Sequence, residues 1–235
     1  MNYFLAEMAG TALLILLGNG VVGGVVLRGT KSENAGWITI TAGWALAVTF
    51  AIYAVGKQSG AHLNPAVTIA LAASGAFEWS WVPVYIAGQF CGAFLGACLV
   101  FLHYLPHWIY TEDPDAKRAV FCTAPAIRHS PGNFISEFLG AFVLLFGLMA
   151  IGANAFSEGL NPLVVGALVL AIGLSLGGTT GYAINPARDL GPRLAHALLP
   201  VPGKGDDDWG YAWIPVVAPI AGGLVGAYTY QALFP

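Results

Sequence analysis

The chain has 235 residues, of which 57% are hydrophobic and only 9% are charged. A soluble domain carries roughly 25% charged residues, so this composition indicates a membrane protein and excludes an ordinary soluble one. The net charge of −3 excludes a basic nucleic-acid-binding protein, and three unpatterned cysteines are too few for a disulfide framework or a zinc site.

Long segments without any charged residue predict the membrane-spanning helices. A spanning helix needs about 20 apolar residues. Six charge-free segments meet this requirement, and we predict spans at 3–27, 36–56, 82–105, 132–156, 161–180 and 212–233. A seventh segment, 58–77, begins with a polar loop, which favours a re-entrant half-helix there.

The two halves of the chain resemble each other, which indicates an internal repeat. Phe4–Gly10 is similar to Phe134–Gly140, with Glu7 matching Glu137, and each segment opens a long apolar helix. Later in each half comes an Asn-Pro-Ala triplet. Each half therefore holds three spans and one half-helix. Because three is odd, the second half must insert upside down relative to the first.

We therefore predict an all-α membrane protein of one domain, 1–235. Its inverted repeats lie at about 1–105 and 132–235, and a polar loop, 106–131, joins them. Inverted repeats place a site near the membrane midplane, where broken helices meet.

The two triplets predict where this central site lies. Asn at the N-cap followed by Pro at the first helical position marks a helix start. Irregular backbone at membrane depth is tolerated only where it is buried in protein or lines a water-filled cavity. Two such starts in opposed halves would aim two positive helix ends at one point, which would orient water or a hydroxyl and repel a cation. The triplets are Asn64-Pro65-Ala66 and Asn185-Pro186-Ala187.

The segments around both triplets resemble the two signature loops of the major intrinsic protein (aquaporin) family. Ser59–Thr68 looks like the first loop and Gly181–Arg193 like the second, and the similarity covers essentially the whole chain. The resemblance implies the aquaporin fold, a right-handed bundle of six spanning helices and two re-entrant half-helices. It also implies one passive pore per subunit, a homotetramer in the plasma membrane, and termini in the cytoplasm.

The resemblance also implies a narrow filter built from four positions, which fall here on Trp44, Gly173, Tyr182 and Arg188. Strict water channels usually carry His at the position of Gly173. Glycine there makes room for a second aromatic side chain, as in the glycerol-conducting branch, and Asp189 is also typical of that branch. Two aromatic faces would contact the carbon backbone of a polyol, while Arg188 would donate hydrogen bonds to its hydroxyl groups.

Other pore and scaffold residues are carried over from the family in the same way. Glu7, Glu137 and Asp189 are expected to be scaffold residues, the two glutamates holding the kinked backbone before each Asn-Pro-Ala triplet. The backbone before each half-helix cannot pair all its carbonyls internally. A ladder of carbonyl acceptors is therefore expected at Gly60, Ala61, His62, Gly181, Tyr182 and Ala183.

We therefore expect a channel for glycerol and water that excludes protons and ions, with no cofactor, no metal and no nucleic-acid partner. Tyr182 stands where the glycerol branch typically has Phe, so other small solutes stay open: urea, hydrogen peroxide, dihydroxyacetone, lactic acid, or mainly water. A structural junction protein is disfavoured by the intact filter. An ion-coupled transporter is disfavoured because no acidic or hydroxyl cluster falls at the midplane.

Two local patterns that suggest enzymes do not have the required context. Gly18–Gly23 matches the nucleotide-binding pattern GxGxxG, but it lies inside an apolar helical segment with no strand before it. Ser59 near His62 lacks a third group that would orient a nucleophile. The sequence therefore predicts no enzymatic activity.

The distribution of basic residues conflicts with the orientation that the family implies. The side opposite the odd-numbered loops carries only Lys57. The positive-inside rule would place the odd-numbered loops in the cytoplasm, whereas the family places them outside, and we follow the family. The first, third and fifth loops carry, apart from the re-entrant segment, Arg28, Lys31, Lys117, Arg118, Arg128 and Lys204.

Overall fold

A computed structural model of the chain describes residues 2–235, and all regular secondary structure in that range is helical. Five of these helices are long and apolar enough to cross a membrane. They are α1 (Tyr3–Val26), α2 (Trp37–Ser59), α4 (Val82–His103, preceded by a 3-10 turn at Trp79–Trp81), α7 (Ser130–Gly152) and α10 (Ile214–Leu233).

The sixth predicted span, 161–180, is shorter than expected. Helix α8 (Asn161–Leu176) has 16 residues, which reach about 24 Å at 1.5 Å per residue. The prediction was wrong at its end because Gly177 and Gly178 follow Leu176, and glycine is among the poorest helix formers. The predicted end of α7 is displaced by the same distance, since α7 ends at Gly152 rather than at 156, and the other helix ends lie closer to the prediction.

The segment between the halves is not simply a loop, as predicted for 106–131. It contains two short helices, α5 (His107–Tyr110) and α6 (Pro114–Ala119). Helix α6 forms because Asp113 accepts a hydrogen bond from the backbone N–H of Asp115 (2.9 Å) and Pro114 occupies the first turn.

Two half-helices begin directly after the predicted asparagines. Helix α3 (Pro65–Ala73) starts after Asn64, and α9 (Pro186–Leu198) starts after Asn185. Each asparagine side chain accepts a hydrogen bond from the first turn of its helix, and each helix has proline in that turn. Both half-helices therefore begin with the asparagine cap and first-turn proline that favour a helix start.

Glycines bring the helices of each half into close contact. Against α1, a Cβ atom added to Gly88 of α4 would lie 2.6 Å from the carbonyl oxygen of Phe4. Against α7, a Cβ atom added to Gly226 of α10 would lie 2.5 Å from the carbonyl oxygen of Phe142. In both halves, therefore, a glycine allows the backbones of two helices to approach closely.

Hydrogen bonds between connections define two ends of the bundle. At the end that carries the termini, Tyr228 donates to the carbonyl of Ala73 (2.9 Å), the last residue of α3. At the opposite end, which we call the joining end, the backbone N–H of Arg28 donates to Thr111 (3.0 Å). Helix α3 therefore runs from the centre to the termini end. The carbonyl of Pro202, just after α9, accepts a hydrogen bond from Lys117 of α6, so α9 runs from the centre to the joining end.

The outer surface is apolar and the interior contains polar groups, the reverse of a soluble protein. Ile38 is 70% exposed and Phe50 is 54% exposed, whereas Glu7, Gln89 and Glu137 are fully buried. Such a surface suits a lipid environment, in which internal polar groups must find partners within the protein. The chain is a multi-pass membrane protein.

Candidate functional site

The two half-helices meet at the centre through a reciprocal pair of hydrogen bonds. The Nδ2 atom of Asn64 donates to the carbonyl of Ile184, and the Nδ2 atom of Asn185 donates to the carbonyl of Leu63, both at 2.8 Å. The Oδ1 atoms of both asparagines cap their own helices. An amide nitrogen carries two N–H groups, so each asparagine keeps one donor for a solute.

A cavity of about 450 Å³ passes this centre. It extends from Gly152 and Asn161 near the termini end to Trp44 and Arg188 on the joining side. One side of its wall is polar, with both asparagines and the backbone before each half-helix. The rest is largely apolar, including Leu14, Val48, Ile52, Leu71, Leu144, Leu148, Val165 and Val169.

The backbone before each half-helix adopts an unusual conformation that is repeated in both halves. Besides a glycine, each segment has two non-glycine residues in the left-handed region, which costs roughly 1–2 kcal/mol per residue. The φ angles are 79°, 51° and 55° at Gly60, Ala61 and Leu63, and 81°, 38° and 42° at Gly181, Tyr182 and Ile184.

This conformation leaves a row of carbonyl groups free. All six residues predicted for the carbonyl ladder line the cavity. Within residues 2–235, none of their carbonyl oxygens accepts a hydrogen bond from the protein. They can therefore accept hydrogen bonds from a solute that passes along the cavity. The six are Gly60, Ala61, His62, Gly181, Tyr182 and Ala183.

Glu7 contacts the first of these strained segments. Its carboxylate accepts hydrogen bonds from the backbone N–H groups of His62 (3.0 Å) and Leu63 (2.7 Å). It also accepts from the hydroxyl of Ser59 (2.6 Å) and the amide of Gln89 (2.8 Å). These bonds satisfy buried donors and offset the cost of the left-handed backbone.

Glu137 occupies the matching place in the second half with fewer partners. Its carboxylate accepts hydrogen bonds from the backbone N–H groups of Ala183 (2.9 Å) and Ile184 (2.8 Å). Both glutamates are fully buried. The two halves therefore share the contact to the strained backbone but differ in the side chains around the carboxylate.

Arg188 lines the cavity on the side of the joining end. Its guanidinium carbon lies 4.2 Å from the centre of the Trp44 ring, a cation–π contact. Its Nη1 atom donates to the carbonyl of Phe121 (3.4 Å). Among the residues that the structure describes, no carboxylate lies within 4.0 Å of this guanidinium. Arg188 therefore keeps a full positive charge and further N–H donors at the wall of the cavity.

Asp189 pairs with Arg193 rather than with its neighbour Arg188. The ion pair is fully buried, with 2.8 Å between Nη2 of Arg193 and Oδ1 of Asp189. Thr123 of the segment between the halves donates to Asp189 twice, from its backbone N–H (2.8 Å) and its hydroxyl (2.7 Å). Arg193 in turn donates to the carbonyl of Thr123 (2.9 Å). These bonds fix the segment against α9.

Tyr182 and Gly173 fit together as one unit. A Cβ atom added to Gly173 would lie 2.8 Å from Cζ of Tyr182 and 2.9 Å from its hydroxyl. Tyr182 lines the cavity, whereas Gly173 lies behind the tyrosine ring and not on the cavity wall. The hydroxyl of Tyr182 is buried and has no hydrogen-bond partner among the described residues. Gly173 therefore contributes the space that this ring occupies.

Comparison with known proteins identifies the family. The family model described as "Major intrinsic protein" matches residues 1–230. The chain belongs to the major intrinsic protein family.

Two similar members of the family are bacterial. The chain is 62% identical over 234 residues to a Thermotoga maritima protein described as "Probable glycerol uptake facilitator protein", which covers all of both chains. It is 60% identical to the glycerol uptake facilitator protein of Bacillus subtilis, covering all of this chain and 85% of that one.

A solved structure supports the same assignment. The aquaglyceroporin from Plasmodium falciparum superimposes with a TM-score of 0.86 at 32% identity, covering 98% of this chain and 95% of that chain. The fold of this major intrinsic protein is therefore the aquaporin fold, as expected from the sequence.

Several residues that contact the four predicted filter positions could not be identified from the sequence. A Cβ atom at Gly18 of α1 would overlap the Trp44 ring, so this glycine makes room for the ring. Trp37 donates to the carbonyl of Gly173 (2.9 Å) and packs edge-on against Tyr182. Phe121 contacts Arg188 from a segment predicted only as a loop. The one local signal was Gly18 itself, inside the GxGxxG pattern that was set aside.

The Cys122 thiol, next to the residue that contacts Arg188, is unreactive. Cys122 follows Phe121 and is buried. Burial raises the pKa of the Cys122 thiol to about 12, and the negative charge of Asp189 adds to this effect. The thiol is therefore protonated at neutral pH and is a poor nucleophile or metal ligand.

Proposed function

We propose that this chain is a passive channel for glycerol that also conducts water and excludes protons and ions. The observation that carries the proposal is the filter. Arg188 has free N–H donors at the cavity wall, and the apolar rings of Trp44 and Tyr182 line the same cavity. A polyol can contact both surfaces: its hydroxyl groups accept hydrogen bonds from the guanidinium, and its carbon backbone packs against the rings. Relatives named glycerol uptake facilitators support the same solute.

The free carbonyl groups support conduction of a hydrated or hydroxylated solute. A solute that leaves water loses hydrogen bonds, and an unpaired polar group in an apolar cavity costs several kcal/mol. The carbonyl ladder replaces those bonds along one side of the path. The opposite apolar wall gives a polar solute few sites at which to bind tightly, so it can leave again.

The central asparagines support exclusion of protons. Each presents one remaining N–H donor to the cavity, at the N-terminal ends of α3 and α9. A water molecule that accepts from both asparagines points its own hydrogen atoms outward, toward the two ends of the pore. That orientation interrupts a proton relay. The positive helix ends, worth roughly half a charge each, and Arg188 together repel cations.

The same proposal covers assembly and location. It assigns the chain to the plasma membrane as a homotetramer with one pore per subunit, with both termini in the cytoplasm and no enzymatic activity. Family membership supports each point. Orientation is tested with a membrane-impermeant thiol reagent on intact cells, in a cysteine-free background. Labelling of Lys31→Cys but not of Lys57→Cys agrees with the proposal, and the opposite result contradicts it.

The conduction mechanism is tested with radiolabelled glycerol in proteoliposomes. A passive channel gives an uptake rate that rises in proportion to the glycerol gradient and does not change when ionophores collapse proton and sodium gradients. Saturation at low glycerol together with loss of uptake after ionophore treatment would indicate a coupled transporter instead.

A further inference from the structure

Asn19 is a buried polar residue that the pore described above does not use. It lies in α1, is fully buried, and donates from Nδ2 to the carbonyl of Phe121 (3.0 Å). Its Oδ1 atom is also buried and has no hydrogen-bond partner among the described residues. Because a carbonyl can only accept, the contact to Phe121 fixes Nδ2 as the atom that faces it.

The Phe121 carbonyl is shared between Asn19 and Arg188. A carbonyl oxygen has two lone pairs and can accept from both donors. The bond from Arg188 measures 3.4 Å, which is long for an N–H···O bond. A small displacement of Phe121 would therefore break it. Asn19 holds the carbonyl at the position from which it can still reach the guanidinium.

The residue before Asn19 supports the second contact of the guanidinium. Gly18 leaves the space that the Trp44 ring fills, and Trp44 stacks on Arg188 at 4.2 Å. Two consecutive residues of α1 thus control both protein contacts of Arg188. One acts by leaving room for a ring and the other by fixing a carbonyl.

The Asn19 amide occurs in only one of the two halves of the repeat. With Glu7 aligned on Glu137, the counterpart of Asn19 in α7 is Met149, which lines the cavity and has no strong donor. Only the half of the bundle that faces Arg188 carries a buried amide at this place.

We propose that Asn19 is a positioning residue for the filter: it fixes the Phe121 carbonyl, which in turn fixes the Arg188 guanidinium. This inference rests on the proposed function, since it assigns Asn19 to the selectivity of the glycerol pore. Without Asn19 the guanidinium has more freedom, and the filter discriminates less by size.

The test compares erythritol, glycerol and water permeability of proteoliposomes. Asn19→Leu keeps the approximate volume and removes the donor. We expect its ratio of erythritol to glycerol permeability to rise about three- to tenfold, the change that loss of one hydrogen bond would give. Thr11→Val is the matched control, since Thr11 is a buried residue of α1 whose hydroxyl has no partner, and its ratio should stay at the wild-type value.

A double-mutant cycle separates positioning from a general structural role. In the Arg188→Val background, adding Asn19→Leu should leave the ratio unchanged. An equal rise in both backgrounds, or no rise in the wild-type background, would overturn the proposal. Asn19→Ala answers the same question if the leucine variant does not reconstitute.

The glycerol flux of the wild-type protein tests the proposed function separately from the role of Asn19. A wild-type protein without glycerol flux would contradict the proposed function, and Asn19 would then be judged by the same cycle on water permeability. A change with Asn19→Leu that requires Arg188 would support the positioning role there, and a change that does not require Arg188 would overturn it.

Discussion

The two halves of the pore have the same backbone but different side chains at matching positions, which lie 121 residues apart. The first half has Val67 and Thr68 where the second has Arg188 and Asp189. Both halves have the left-handed backbone, an asparagine cap and a glutamate that accepts from two backbone N–H groups at matching positions. The shared backbone and caps form the central part of the cavity wall in both halves. The differing side chains place a positive charge, that of Arg188, only on the joining side.

The filter aromatic also comes from a difference between the halves. The first half has Ile52 and Ala61, a large residue on the helix and a small one before the half-helix. The second half reverses this with Gly173 and Tyr182, whose ring fills the space beside the glycine. Each pair can fill its space, but only the second places an aromatic ring on the cavity wall beside Arg188.

The largest expected effect is on the buried ion pair of the second half. Asp189→Ala leaves Arg193 buried without its carboxylate and removes the acceptor for Thr123. We expect a loss of about 3–5 kcal/mol in stability. Thr68→Val at the matching position removes only neutral hydrogen bonds, to Gln89, Asn64 and His62, and should cost less, about 1–3 kcal/mol. Thermal unfolding in detergent compares the two variants, and equal losses would contradict the distinction.

The next effect concerns the two glutamates. Glu137→Gln places an NH₂ group against a backbone N–H, so one buried donor loses its acceptor, at a cost of about 1–3 kcal/mol. Glu7→Gln likewise leaves one backbone N–H group, that of His62 or Leu63, facing the new NH₂ group. Its loss should lie near the lower end of that range, because the new NH₂ group can find an acceptor of its own. That acceptor is either the hydroxyl of Ser59 or, after a flip of the Gln89 amide, the Oε1 atom of Gln89, which has no partner among the described residues.

The same thermal unfolding measurement, with glycerol flux as a second readout, checks this ranking. A larger loss of stability for Glu7→Gln than for Glu137→Gln would show that the additional hydrogen-bond partners of Glu7 do not compensate for the lost carboxylate oxygen.

An effect of the same order as that of Glu137→Gln is expected when the second half is made more like the first at Gly173. Gly173→Ala brings a methyl group within 2.9 Å of Tyr182 and displaces its ring toward the cavity. Overpacking of this kind costs about 1–3 kcal/mol, and glycerol permeability should fall more than water permeability. Gly20→Ala is the control, because nothing lies within 4 Å of its added Cβ atom. An equal fall for both solutes would mean that Gly173 does not set the width of the filter.

The smallest effect is expected for Tyr182→Phe. The hydroxyl is buried without a partner, so its removal should leave stability unchanged or raise it by up to about 1 kcal/mol. Permeability to glycerol and water should stay within about twofold, since this change is below one hydrogen bond. A large loss of glycerol flux in stopped-flow measurements would show that the hydroxyl contacts the solute.

The sequence alone was enough to predict the repeat, the two half-helices and the central asparagines, because each has a local signal. Charge-free segments mark the spans, and Asn-Pro marks a helix start wherever the chain places it. The predicted end of α8 was wrong because the charge-free segment continues to 187, whereas the helix ends at Leu176, just before Gly177 and Gly178. The absence of charged residues indicates membrane depth but does not locate the end of a helix.

The contacts that fix the filter could not be predicted because they join distant residues. Asn19 and Phe121 are 102 positions apart, and Phe121 and Arg188 are 67 apart. The acceptor is a backbone carbonyl, which any residue type supplies, so nothing in the residue names indicates it. Family resemblance predicted four filter positions but not the groups that contact them.

The proposed function requires that a polyol as well as water passes Trp44, Tyr182 and Arg188. The decisive measurement is stopped-flow light scattering on proteoliposomes, with water and glycerol gradients run in parallel against empty liposomes. We expect fast shrinkage in an osmotic gradient followed by rapid glycerol re-swelling above the liposome rate. Fast water flux with glycerol re-swelling no faster than in empty liposomes would mean that Tyr182 closes the space that Gly173 opens, and glycerol would not be a solute of this channel.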